Sequence, residues 1–191
     1  MKQDIILAGV GGQGILTIAA VIGNAAVNNN LYLKQSEVHG MSQRGGDVQS
    51  NLRISDKPIY SDLIAEGAAD LIIAVEPMEA LRYLPFLKKD GYIVTNTTPF
   101  KNIPNYPEDA ELMQTINNLP NKITINADEI AKQINSPRSS NIVILGAAVK
   151  FIEISIAELE KSIKMLFGKK GEEVVQSNIK ALHAGFDFAS K

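Results

Sequence analysis

Residues 4–25, DIILAGVGGQGILTIAAVIGNA, decide the fold. Ile5, Ile6, Leu7 and Ala8 form a short continuous apolar run, the pattern of a strand buried on both faces of a parallel sheet. Gly9, Gly11, Gly12 and Gly14 follow. Ile15, Leu16, Ile18, Ala19, Val21, Ile22 and Ala25 then recur at helical spacing up to the polar stop at Asn28–Asn30. Strand, glycine turn and helix open a βαβ unit.

Further along, Leu31–Leu33 reads as a second strand. Leu71–Val75 and Tyr92–Thr95 are two more buried-type strands. Between them Pro77 can start a helix that carries Met78, Ala80, Leu81 and Leu84 as its core positions. Lys122–Ile125 is a fifth strand, followed by the helical pattern Ala127–Ile134. The stretch Asp47–Ile54 alternates, with Val48, Ser50, Leu52 and Ile54 on one side and Gln49, Asn51 and Arg53 on the other. Asp56–Pro58 is expected to turn it back onto a short return at Ile59–Tyr60, an antiparallel hairpin that makes the sheet mixed. Thr98–Glu108 holds three prolines and reads as a surface loop. After Pro137 the pattern is helical over 142–152, 155–167 and 172–188, and Ser155 three residues before Glu158 is a capping box. The expected fold is α/β: a Rossmann-like three-layer domain over residues 1–191, with a mostly parallel sheet, an antiparallel hairpin and a helical C-terminal region.

Composition bounds the chemistry. The chain has 191 residues, 19 basic and 21 acidic side chains, and no cysteine. Without a thiolate it can form no disulfide, no cysteine-ligated iron–sulfur cluster and no thiol nucleophile. The nearly balanced charge argues against nucleic acid as a partner. The apolar stretch at the start is broken by glycines, falls short of the ~20 residues of a membrane span and has no cleavage pattern. The sequence therefore predicts a cytoplasmic protein with no membrane partner. No pair of histidines or cluster of acids has the spacing of a metal site.

Gly9, Gly11 and Gly14 satisfy G-x-G-x-x-G in the right context. Together with Gly12 and Gln13 they form a candidate binding loop in which backbone N–H groups at a helix start favour an anion. A dinucleotide site would also need an acid about 20 residues on, at the end of the second strand. Lys34, Gln35 and Ser36 stand there, and Glu37 is expected in the loop beyond. A phosphate or diphosphate seat and plain close packing of helix on strand therefore both stay open. The second candidate is Ser36–Asp47, SEVHGMSQRGGD, expected to form a loop at the same end of the sheet. Ser36, His39, Ser42, Gln43, Arg44, Gly45 and Gly46 are its candidate binding residues, with Arg44 suited to a phosphate or carboxylate. His39 is also a candidate proton-transfer group, although a lone histidine with no carboxylate partner more often bonds locally. Glu76, at the carboxyl end of a strand, is a candidate catalytic acid. The plainer reading has it end the strand and face the helix start. His183 reads as a surface or packing position.

GVGGQGI, SEVHGMSQRGG and EPMEALRYLP from Glu76 together resemble the gamma-type domain of 2-oxoacid:ferredoxin oxidoreductases (the pyruvate/ketoisovalerate oxidoreductase gamma-type domain), above all its indolepyruvate branch. The resemblance implies a subunit that completes an active site for oxidative decarboxylation of a 2-oxoacid to an acyl-coenzyme A. Thiamine diphosphate and iron–sulfur clusters are expected on a large partner subunit, electrons pass through the complex to ferredoxin, and the isolated chain is inactive. Under this resemblance the two loops either contact coenzyme A or dock on the partner, and the residues leave both open. A free-standing nucleotide-binding or regulatory module is the alternative from a different class.

Overall fold

The computed structural model describes residues 1–40 and 45–191, apart from the side chain of His39. β1 (Lys2–Val10) lies in the middle of a six-stranded sheet. With β2 (Tyr32–His39), β3 (Asp47–Ser55), β4 (Ala69–Ala74), β5 (Leu87–Asn96) and β6 (Lys122–Ile125), the order is β2-β3-β1-β4-β5-β6. β1, β4, β5 and β6 are parallel, whereas β3 runs antiparallel to both of its neighbours. The sheet is mixed, as expected, but the hairpin has a different partner. β3 pairs with β2 and not with Ile59–Tyr60, which is not a strand.

The physical reason lies in the polar side of β3. Arg53 bonds Asp4 at 2.7 Å and donates to the carbonyls of Ser61 and Leu63, while Asn51 accepts from the Ile64 amide. These groups hold residues 56–67 as a coil laid across the sheet, and a strand there would need those carbonyls for its own ladder. β2 also runs to His39, beyond the expected Leu33. As an edge strand it is half exposed, so Ser36, Glu37 and Val38 read like loop in the sequence although they pair with Asn51, Ser50 and Gln49.

One face of the sheet is covered by α1 (Ile15–Asn28), α4 (Ala127–Gln133), α5 (Ser140–Ala148), α6 (Ile156–Phe167) and α7 (Glu172–Ala189), packed on Ile5, Leu7, Leu52, Ile54, Leu71 and Ile73. The other carries α2 (Pro77–Arg82) and α3 (Asp109–Asn117), over Ile6, Ala8, Ile72, Ala74 and Ile93. In α2, Ala80 is buried as expected, while Met78 and Leu81 are only half-buried and Glu79 is buried in their place. α1 and α4 end alike. Asn30 and Asn135 adopt left-handed φ of 58° and 60°, and the next amides, Leu31 and Ser136, reach back to the carbonyls of Ala26 and Ala131. α6 begins with the Ser155–Glu158 capping box.

Candidate functional site

β1 delivers the glycine loop to the carboxyl end of the sheet, beside the point where connections leave the sheet in opposite directions, which is where open α/β sheets bind ligands. The Gln13 side chain braces the loop by accepting from the Val10 amide at 2.8 Å. Gly14, at φ 82°, turns the chain into α1, a conformation that a β-carbon disfavours. α1 has no side-chain cap and no acid in its first turn, which leaves a positive helix end. Gly9 has a packing role: a β-carbon there would lie 2.3 Å from Val75 Cγ2.

The two loops meet. The Gly11 amide donates to the Gly46 carbonyl at 2.8 Å and the Gly45 amide donates to the Gly11 carbonyl at 3.4 Å. A cavity of about 280 Å³ opens beside them, lined by Gly11, Gly12, Gly14, Leu16 and Glu37. Glu37 therefore belongs to a strand and faces the glycine loop, at the place where an acid was sought in the sequence. Ser36 points the other way: its hydroxyl donates to the Asp62 carbonyl and accepts from Asn51, on the sheet face opposite α1. His39 ends β2 opposite Val48. Ser42, Gln43 and Arg44 lie outside the described residues.

A second cavity, of about 230 Å³, stands on the other side of Gln13 at the ends of β4 and β5. Asn96, Thr98, Phe100, Asp128, Ser140 and Asn141 line it, none of them singled out in the sequence. Asn96 ties three elements together. Its Oδ1 accepts from the Thr97 and Ala127 amides, and its Nδ2 donates to Asp128 at 2.9 Å and to the Val75 carbonyl. Asn141, in the first turn of α5, donates to the Gly14 carbonyl at 3.0 Å and so joins this cavity to the glycine loop. Only a deep-lying amide at the end of a buried-type strand, Asn96 after YIVT, could have signalled the site.

Glu76 is fully buried and caps α2, accepting from the Glu79 amide at 2.9 Å. Its other oxygen accepts from the Phe100 amide at 3.2 Å and from the Tyr106 hydroxyl. Both oxygens of this carboxylate are thus engaged and shielded from solvent, an arrangement in which it ends the strand and faces the helix start. Burial and the Glu76 acceptor push the Tyr106 phenol well above its ordinary range. Burial also raises the Glu79 carboxyl, against the opposing pull of Arg82 at 2.7 Å, and raises Tyr83 to about 12 with help from Asp47 and Glu79. His183 is a surface residue 2.7 Å from Glu160.

Comparison with known proteins agrees with the resemblance read from the motifs. The indolepyruvate oxidoreductase subunit IorB of Archaeoglobus fulgidus is 38% identical over 99% of this chain and 96% of its own length. The common gamma subunit of the pyruvate/ketoisovalerate oxidoreductases of Pyrococcus abyssi is 30% identical over 96% of this chain and 95% of its own. Among solved structures, the pyruvate oxidoreductase subunit PORC of Thermotoga maritima superposes with a TM-score of 0.73 at 20% identity, covering 97% of this chain and 96% of that one. The 2-oxoglutarate:ferredoxin oxidoreductase of Magnetococcus marinus gives 0.77 at 24% identity, covering 99% of this chain, which spans only 31% of that longer one. These two likenesses establish the fold. The family model described as pyruvate ferredoxin/flavodoxin oxidoreductase matches residues 4–188, and to that family the chain belongs.

Proposed function

We propose that this chain is the small subunit of a 2-oxoacid:ferredoxin oxidoreductase of the indolepyruvate type. The observation that carries the reading is 38% identity, along nearly the whole chain, to a protein named as an indolepyruvate oxidoreductase subunit. In the assembled enzyme a large partner holds thiamine diphosphate, which supplies the chemistry of decarboxylation, and the iron–sulfur clusters that pass electrons to ferredoxin. The donor set of this chain does not fit such a cluster, since it has no cysteine.

Its own contribution is to bind and to shape. The uncapped end of α1, the amides of the glycine loop and the charge of Arg44 suit the phosphates of coenzyme A. The joined glycine loop and β2–β3 connection also give a surface against which the large subunit can seat, and one site at a subunit boundary can serve both ends. No helix of the described residues is long and apolar enough to cross a membrane, which accords with a cytoplasmic enzyme.

The test is co-expression with a large chain that carries a thiamine diphosphate signature and clustered cysteines. The expected result is a complex on size exclusion that reduces an electron acceptor with indolepyruvate and coenzyme A, faster than with pyruvate, while the chain alone is inactive. Absence of a complex, with tight NAD or ATP binding by the isolated chain in calorimetry, would replace this reading with a free-standing nucleotide-binding module.

A further inference from the structure

Residues 97–108 contain neither helix nor strand, yet they form one wall of the cavity at the ends of β4 and β5 through Thr98 and Phe100. Three prolines keep the segment from building a ladder of its own. At its start Thr97 and Thr98 bond Asn96, Ile125 and Asn126 at the ends of β5 and β6. Beyond them, apart from an exposed ion pair of Lys101 with Asp109, its place depends on three bonds: the Phe100 backbone amide and the Tyr106 hydroxyl to Glu76, and the Asn102 side-chain amide to the Gly45 carbonyl at 2.7 Å. Two of the three end on one carboxylate.

Capping α2 does not require that carboxylate. At the equivalent junction between β6 and α4 the shorter Asn126 caps the helix by accepting from the Glu129 amide at 3.0 Å. Glutamate at 76 supplies a second, independently aimed oxygen, and that oxygen is spent wholly on the 97–108 segment. The first of the two anchors, Phe100, carries a large apolar side chain that lines the cavity and is left 45% exposed. From there Asn102 reaches on to Gly45, so that the segment, the glycine loop and the β2–β3 connection form one hydrogen-bonded chain.

We propose that Glu76 is a positioning residue whose carboxylate latches residues 97–108 across the cavity at the ends of β4 and β5, which Gln13 of the glycine loop also lines, and so sets how tightly the site holds the ligand that enters there. The side chain touches no ligand and acts through Phe100 and Tyr106. The kinetic part of this proposal rests on the function proposed above.

Tyr106→Phe removes only the hydroxyl donor. Glu76→Asn keeps a short cap of the Asn126 kind and removes the second oxygen. Hydrogen exchange is read on the full chain, and kinetics on the complex with the large subunit. In both variants exchange across 97–108 should rise by about tenfold or more while the α5 and α7 amides stay protected. In the complex, KM for coenzyme A should rise about fivefold with kcat within about twofold of wild type. Wild-type exchange in both variants would overturn the proposal. So would a fall in kcat and thermal stability with KM unmoved, which marks a merely structural role. A wild-type complex that reduces no acceptor would instead overturn the proposed function, and the exchange measurement would still decide the latch.

Discussion

The two faces of the sheet are held by different physics. Under α1, α5, α6 and α7 the contacts are apolar, and the buried polar side chains there are neutral: Gln3 bonds the Phe151 carbonyl and Ser162 bonds the Val21 carbonyl. On the α2 face the helical cover is thin, and the buried carboxylates Asp4, Glu76 and Glu79 all lie on that side, each with named donors. Apolar packing is non-directional and supplies bulk stability. Hydrogen-bonded charges are directional, and here they fix two coil segments, 56–67 and 97–108, that have no ladder to hold them. The candidate site borrows from both faces: its floor is the rigid α1–α5 packing, and its wall is hung from a carboxylate on the other side.

The most severe test of that contrast is Arg53→Met. Asp4, whose side chain is 1% exposed, would lose its main partner, and the carbonyls of Ser61 and Leu63 would lose their donor. With the exposed Lys2 still 3.1 Å from Asp4, a loss of about 2–3 kcal/mol in urea unfolding is expected, below the ~3–5 kcal/mol of a buried charge stranded outright. A loss under about 1 kcal/mol would mean that the α2 face is not held by charge. On the apolar face, Gly185→Ala would put a β-carbon 1.9 Å from the Val143 carbonyl oxygen, so α5 and α7 must separate. The expected cost is about 1–3 kcal/mol, with exchange on the α2 face unaltered. Ser155→Ala removes the α6 cap and should cost about 1 kcal/mol, seen as a small fall in thermal midpoint.

The mildest test is alkaline titration. The folded pKa of Tyr83 is raised from 10.0 to about 12, so its contribution to stability is whole below pH 10 and is lost as pH rises through about 12. Phenolate absorbance should show that proton leaving late, and Tyr83→Phe should flatten the alkaline fall in stability without affecting the neutral range.

Much of the apolar face was legible in the sequence. The run Ile5–Ala8, the periodicity from Ile15 to Ala25, LIIAV, YIVT and the Ser155–Glu158 box are local patterns, and each became the expected element. The hairpin misled because alternation in Asp47–Ile54 announces a strand but not its partner, and pairing with β2 or with Ile59–Tyr60 depends on where Arg53 and Asn51 find acceptors and donors. An edge strand is allowed Ser, Glu and His, so β2 reads in the sequence as ending at Leu33 although it runs to His39. The meeting of the two loops followed from topology and was foreseen. The cavity walled by Asn96, Phe100 and Asn141 was not, since its lining comes from five separate stretches of chain and its walls, unlike Gln13 of the glycine loop, carry no motif.

β1 is both the first strand of the chain and the middle of the sheet. Its partners are β3, ending at Ser55, and β4, ending at Ala74. During synthesis residues 2–10, with the apolar run Ile5–Ala8, must stay unpaired until roughly 45 more residues have emerged and lack their second partner until β4 is made, and the helical cover is complete only with α7. The nascent chain thus carries an apolar strand with an unpaired edge until β4 is made. Chaperone demand and expression temperature should therefore limit the yield of this subunit more than the stability of the finished fold does.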